Sequence, residues 1–123
     1  MSLPTPVTAF LAALERRDLD AVLDCFTPDA SYAYAMPHPP LVGRDAISAM
    51  FGKLLAEADA VRWDVVASTV DGDRVWTERV DRFTFGGRDV AIECMGLFEL
   101  VEGRIASVRD YVDMATWQER KGS

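Results

Sequence analysis

The chain has 123 residues, of which 50% are hydrophobic and 27% charged, the balance of one ordinary globular domain over 1–123. A chain of this length buries a sizeable core without metals or disulfides. Acidic residues outnumber basic ones 20 to 13, and the formal net charge is −7. This balance argues against nucleic acid or an anionic membrane as the main partner, because both require a basic surface.

The two cysteines, Cys25 and Cys94, lie far apart in the chain, and there is no CxxC pair or Cys/His cluster. This spacing argues against a zinc site and predicts two reduced, buried thiols. The N-terminal segment has no basic region before its apolar run, and no apolar stretch approaches the ~20 residues that cross a bilayer. We therefore expect a cytoplasmic protein.

Helical patterns dominate the first half of the chain. Apolar residues recur at helical spacing over 5–16, 18–26 and 45–58, which predicts three amphipathic helices. Between the second and third helices we predict a short strand over 31–36. The run over 37–44 contains three prolines, which argues against regular structure there.

From residue 61 onward the pattern changes to strands. Four strands linked by tight, glycine-containing turns are predicted over 61–70, 74–85, 88–101 and 104–114, with a frayed end over 118–123. Helices followed by strands indicate the α+β class, with the helices on one face of the sheet. We expect a strongly curved antiparallel or mixed sheet that wraps around the N-terminal helices as an open cone.

The strand over 74–85 has charged residues on its more apolar face. Side chains two residues apart on a strand point the same way, so Arg79 and Asp81 share a face with Val75 and Phe83. On the last strand, Asp110 is the only charged residue of a set of the same parity that also contains Ala106, Val108 and Val112. If these faces line the cone, an Asp–Arg–Asp cluster lies in an apolar pocket. The alternative is an ion pair on a solvated sheet face.

Such a cluster suits the opening of an epoxide by water. The planar fork of Arg79 can bond both carboxylates at once. Two carboxylates in one apolar pocket can hold different protonation states, one as an acid and one as a base. Epoxide hydrolysis needs an acid at the ring oxygen and a base on the attacking water. Because ring strain activates the carbon, neither a metal nor a covalent nucleophile is required.

Several stretches of the chain resemble the limonene-1,2-epoxide hydrolase family of the nuclear-transport-factor-2-like superfamily. They are AMPHPPLVGRDAI, WTERVDRF, GLFELVEGRI and RDYVDM, over 35–47, 76–83, 96–105 and 109–114. The specific part is an R-x-D pair followed by a G-[LV]-F strand and then R-D-Y-x-D. The resemblance implies the cystatin-like cone that polyketide cyclases and steroid isomerases also use.

The resemblance also implies a one-step hydrolase without a cofactor or covalent intermediate. Such an enzyme converts a small hydrophobic epoxide to a vicinal diol and is commonly a homodimer. By this resemblance Asp81 protonates the epoxide oxygen, Asp110 deprotonates water, and Arg79 bridges the two carboxylates. The chain departs from the family at the Tyr and Asn that hold the water, because Ala33 and Ala35 stand there.

Further side chains are candidates for the pocket wall. The predicted substrate-binding residues are Tyr32, Tyr34, Met36, Phe83, Met95, Leu97 and Val108. Tyr32 and Tyr34 have the other parity from Ala33 and Ala35, so either one reaches the water only if a bulge re-aims it. We expect the three tryptophans on the outer sheet face or at a subunit contact, because large aromatic residues favour interfaces. They are Trp63, Trp76 and Trp117.

Two other functions stay open at this point. An isomerase, cyclase or dehydratase of the steroid isomerase or polyketide cyclase type needs one Asp base and a donor to an enolate oxygen, which Tyr32 or Tyr34 could be. A non-enzymatic small-molecule-binding domain would use the same cone, because one architecture hosts many functions.

Overall fold

The structure is a computed structural model that describes residues 3–122. Within that range the helices are α1 (Thr5–Arg16), α2 (Leu19–Asp24), α3 (Arg44–Glu57) and α4 (Met114–Lys121). The strands are β1 (Phe26–Ala33), β2 (Leu41–Val42), β3 (Ala60–Asp71), β4 (Arg74–Phe85), β5 (Arg88–Val101) and β6 (Arg104–Val112). The predicted α+β class is confirmed.

The strands form one mixed sheet in the order β2-β1-β6-β5-β4-β3. Strands β3 to β6 are the predicted antiparallel meander, with successive strands paired along their length. Strand β1 joins the free edge of β6 in the parallel direction, and the two-residue β2 pairs with β1. The sheet curves without closing, so its concave face is left for the helices to cover.

Aromatic packing around Phe10 joins α1 to this concave face. The ring of Phe10 lies within 6.5 Å of five other aromatic rings, measured between centroids. These rings belong to Phe26, Tyr32, Phe51, Trp63 and Phe98. Most of the contacts are edge-to-face, the geometry that aromatic pairs prefer. The core therefore occupies one end of the cone and leaves the other end open.

Two elements near the prolines differ from the sequence prediction. Strand β1 begins at Phe26, five residues before the predicted start, because Phe26 pairs with Ile105 of β6. The short β2 lies inside the run for which no regular structure was predicted, where Leu41 pairs with Tyr32. Both additions depend on pairing with distant strands, which local propensity does not reveal.

The C-terminal segment is a helix, so the predicted frayed end is wrong for the part of it that the structure describes. Asp113 ends the last strand and caps α4, accepting hydrogen bonds from the backbone of Ala115 and Thr116 at 3.1 and 3.3 Å. Arg120 then donates to the carbonyl oxygen of Ala91 on β5 at 3.0 Å. The cap and this contact with the sheet order the helix.

Gly96 on β5 leaves space for charged side chains from both neighbouring strands. It pairs with Thr77 of β4 on one side and with Asp110 of β6 on the other. A Cβ atom at position 96 would lie 2.5 Å from Oδ1 of Asp110 and would also collide with Nη1 of Arg79. A side chain at this position would therefore push the buried charged groups apart.

We predict that Gly96→Ala lowers the free energy of unfolding by about 1–3 kcal/mol, the usual cost of overpacking an interior. Gly52→Ala in α3 is the matched control, because a Cβ there meets only Cδ2 of Leu19, at 3.7 Å. Alanine favours a helix over glycine by roughly 0.5–1 kcal/mol, so this control should gain stability. Urea unfolding measures both variants, and unchanged stability in Gly96→Ala would contradict the steric role of the glycine.

Candidate active site

A cavity of about 150 Å³ opens at the uncovered end of the cone. Its wall combines residues of α3 and α4 with residues from β3, β4, β5 and β6 and from the end of β1. The lining is mostly aliphatic and aromatic, and its only charged members are Asp81 and Asp110. The cavity therefore suits an apolar molecule that reacts at two carboxyl groups.

Arg79 lies behind this wall and joins the two carboxyl groups. Its Nε and Nη2 donate to the two oxygens of Asp81 at 2.9 and 3.0 Å. Nη2 also donates to Oδ1 of Asp110, at 3.2 Å. The exposed fractions of Arg79, Asp81 and Asp110 are 1%, 5% and 4%. The structure thus brings the three predicted side chains together, and the alternative of a solvated surface pair is wrong.

The rest of the guanidinium is also enclosed. Nη1 donates to the hydroxyl of Thr77 at 3.1 Å, and that hydroxyl donates to the carbonyl oxygen of Gly96 at 3.2 Å. The Cζ atom lies 4.9 Å from the ring centroid of Trp63, a cation–π contact. Sγ of Cys94 accepts a further contact from Nη2 at 3.2 Å. These contacts fix the planar group, and with it the separation of the carboxylates.

The environment of Asp110 shifts the pKa of its carboxyl group. Burial raises the pKa of Asp110, Arg79 opposes that rise, and the neighbouring Asp81 adds to it. Burial acts to lower the pKa of Arg79, but Asp110 and Asp81 outweigh it, so the guanidinium keeps its charge. Because the guanidinium keeps its charge, one proton held by either carboxyl group makes the cluster neutral.

Tyr32 places a hydroxyl beside Asp110. Its Oη donates to Oδ2 of Asp110 at 3.3 Å. Burial, and next the charge of Asp110, raise the pKa of Tyr32 well above its ordinary value, so the phenol stays protonated. Tyr32 pairs with Val108 of β6, whose side chain belongs to the core, so Tyr32 lies on the same face of the sheet as Asp110. A tyrosine therefore accompanies Asp110 although Ala33 occupies the position matched to the family's tyrosine.

Only some of the predicted substrate-binding residues line the cavity. Tyr32, Tyr34 and Phe83 line the cavity. Met36, Met95, Leu97 and Val108 do not line it, contrary to the prediction from the sequence.

Strand parity explains two of these errors. Cys94 and Gly96 face the concave side of β5, so Met95 and Leu97, which alternate with them, point to the convex side. Met95 is accordingly 44% exposed. Val108 faces the concave side but lies within the hydrophobic core, and Met36 belongs to the loop after β1.

Two tryptophans that were expected on the outer face line the cavity instead. Trp63 has the same parity on β3 as the buried Val61, a signal that the sequence did contain. Trp117 comes from α4, a helix that was not predicted, since only a frayed end over 118–123 was expected there. Other lining residues, which the sequence did not reveal or left undecided between core and wall, are Met50, Phe51, Leu54, Ile92, Cys94, Val112 and Met114.

Two absences concern the described part of the chain. Over residues 3–122, no helix has the length and apolar character that crossing a bilayer requires. Within the same residues, no three His, Cys, Asp or Glu side chains form a group that could hold a metal ion.

Comparisons with solved structures give the same fold. A protein from Catenulispora acidiphila DSM 44928 with a ketosteroid isomerase-like fold, in complex with trimethylamine, is 23% identical with a TM-score of 0.84, over 97% of this chain and 93% of that one. A candidate polyketide cyclase from Xanthomonas campestris pv. campestris is 21% identical with a TM-score of 0.79, over 95% and 94% of the two chains.

An M. tuberculosis epoxide hydrolase, described as LEH-like, is 27% identical with a TM-score of 0.80, over 93% of this chain and 84% of that one. The model of the SnoaL-like domain family matches residues 7–108. Because this match spans well over half of the chain, the protein belongs to the SnoaL-like domain family.

Proposed function

We propose that this protein is a cofactor-independent epoxide hydrolase that converts a small hydrophobic epoxide to a vicinal diol. The observation that carries the proposal is a buried Arg79 bridging two carboxyl groups that both line an apolar cavity. The 27% identity with the LEH-like epoxide hydrolase over 93% of this chain also supports it.

The cluster supplies what ring opening requires. One carboxyl group gives a proton to the epoxide oxygen as the C–O bond breaks, while the other takes a proton from the water that attacks the carbon. Water and epoxide together make the diol, so no group of the protein is consumed. A neutral cluster with one proton on two carboxyl groups offers an acid and a base at the same time.

We assign Asp110 as the base and Asp81 as the acid. The raised pKa makes Asp110 a stronger base than an ordinary aspartate. The hydroxyl of Tyr32 beside it is placed to help hold the attacking water. In the reactive arrangement we propose, Asp81 carries the proton and Asp110 is ionised.

A proton-transfer isomerase or cyclase is the second candidate, and the contact between Tyr32 and Asp110 favours it. A buried base with a raised pKa next to a protonated hydroxyl is an arrangement that suits enolisation next to a carbonyl group. In that chemistry Asp110 alone exchanges a proton with the substrate. Turnover of an unsaturated ketone that survives Asp81→Asn, with no turnover of any epoxide, would favour this candidate.

Removal of either carboxyl group tests the proposed hydrolysis. Asp81→Asn and Asp110→Asn should each lower diol formation by about 10²–10⁴-fold, the usual contribution of a general acid or base. Asp64→Asn is the matched control, because Asp64 forms an exposed ion pair with Arg82 at 2.8 Å outside the cavity. A panel of cyclic, aryl and long-chain epoxides analysed by gas chromatography measures the loss. An unchanged rate in either variant would contradict the proposal.

The second prediction concerns pH. Because the base must be ionised and burial raises the pKa of Asp110, the acidic limb of kcat/KM should lie above about pH 3.9, the ordinary value for Asp. The hydrogen bond from Tyr32 stabilises the ionised carboxylate and so lowers its pKa. Tyr32→Phe should therefore move this limb to higher pH.

Tyr34→Phe is the control for this shift. Tyr34 also lines the cavity but is 43% exposed, and its hydroxyl is not among those that affect the pKa of Asp110. This variant should leave the acidic limb in place. A limb that stays fixed in Tyr32→Phe, or moves to lower pH, would contradict a hydrogen bond from Tyr32 that stabilises the ionised base.

A further inference from the structure

Helix α4 supplies one wall of the cavity through Met114 and Trp117. The ring of Trp117 lies 5.0 Å from that of Phe83 in an edge-to-face contact, and the ring of Trp63 lies 6.2 Å from Phe83 on its other side. We call these three side chains, Trp63, Phe83 and Trp117, the aromatic wall. Phe83 follows Asp81 by two positions on the same face of β4, so the wall begins directly beside the carboxyl groups.

Helix α4, which carries Trp117, is held in place at both of its ends. Asp113 caps the first turn through the backbone of Ala115 and Thr116. Near the other end, Arg120 donates to the carbonyl oxygen of Ala91 at 3.0 Å, and Arg88 donates to that of Arg120 at 2.9 Å. Because these bonds tie the helix to β5, the indole of Trp117 is held at the wall of the cavity.

The size and charge of the cavity restrict what it can hold. Its volume is about 150 Å³. An apolar cavity of roughly that volume binds one benzene molecule. The two acidic residues of the lining bring no cationic group into the cavity, so a carboxylate or phosphate on the substrate would be buried without a counter-charge. A neutral molecule with one ring next to its reactive group fits these limits.

We propose that Trp117 determines substrate specificity by restricting the epoxide to a neutral body of about one ring. The assignment of the ligand as an epoxide rests on the proposed function, whereas the size limit rests on the aromatic wall. Removing the indole extends the cavity along α4 and leaves Arg79, Asp81 and Asp110 with all their contacts.

The test compares a one-ring epoxide, styrene oxide, with a two-ring epoxide, trans-stilbene oxide. In Trp117→Ala the ratio of kcat/KM for stilbene oxide to that for styrene oxide should rise at least tenfold over the unmodified protein. Trp117→Phe keeps an aromatic contact with Phe83 and should give a smaller rise. This variant controls for the possibility that Trp117→Ala acts by disrupting the packing of α4. A ratio that stays within twofold in both variants would overturn the proposal.

Trp76→Ala is the matched control. Trp76 has the opposite parity on β4 from the buried Val75 and Thr77 and does not line the cavity. The same loss of an indole should leave the substrate ratio within twofold of the unmodified protein. An equal rise in Trp76→Ala would overturn the proposal, because the effect would then not come from the wall.

A binding measurement separates the size limit from the chemistry. Benzamide and 4-phenylbenzamide are neutral and do not react, and a ligand that binds the folded state raises Tm. Benzamide should raise the Tm of the unmodified protein, and 4-phenylbenzamide should do so only after Trp117→Ala. This pattern without turnover of any epoxide would refute the proposed function and keep the size limit. Turnover of epoxides with equal binding of both amides would refute the size limit alone.

Discussion

The burial of a guanidinium group on the concave face of the sheet is the constraint on which the rest of the site depends. A charge in such a place costs several kcal/mol unless opposite charges and hydrogen bonds compensate for it. Arg79 satisfies this requirement with two carboxyl groups, a hydroxyl and an indole face. The ion pairs with Arg79 hold two acidic side chains side by side at the wall of an apolar cavity. Without the guanidinium, the two like charges would repel each other there.

Several features that look unrelated follow from this requirement. Gly96 has no side chain because the guanidinium and Asp110 occupy the space that a Cβ would fill. Strand β6 lies beside β5 and two strands from β4, so Arg79 must cross over Gly96 to reach Asp110. Tyr32 donates to the oxygen of Asp110 that Arg79 leaves free. The contacts that stabilise the buried guanidinium are therefore the same contacts on which the proposed chemistry depends. A substitution that alters one of these contacts should change both the stability of the fold and the proposed activity.

The order of helical and strand patterns made the class of the fold predictable, and the glycine-containing turns did the same for the meander. Strand parity made the clustering of Arg79 with Asp81 predictable, because alternation is a local signal. The wall of the cavity was less predictable. Met95 and Leu97 were placed on the wrong face, since a strand as apolar as β5 offers no clear alternation to read. Trp117 was misplaced because α4, which is polar and short, was not predicted; the position of this helix depends on the cap at Asp113 and on contacts with β5. The inward direction of Tyr32 follows from its pairing with Val108, which only the sheet topology reveals.

The central claim is that Asp81 and Asp110 open the epoxide with water directly and form no bond to the substrate. A single turnover in ¹⁸O-labelled water, with the protein in excess over styrene oxide, tests it most directly. The account predicts one ¹⁸O atom in each diol molecule from the first turnover and no label in either carboxyl group. An unlabelled diol together with ¹⁸O in Asp81 or Asp110 would show a covalent ester intermediate and contradict the account.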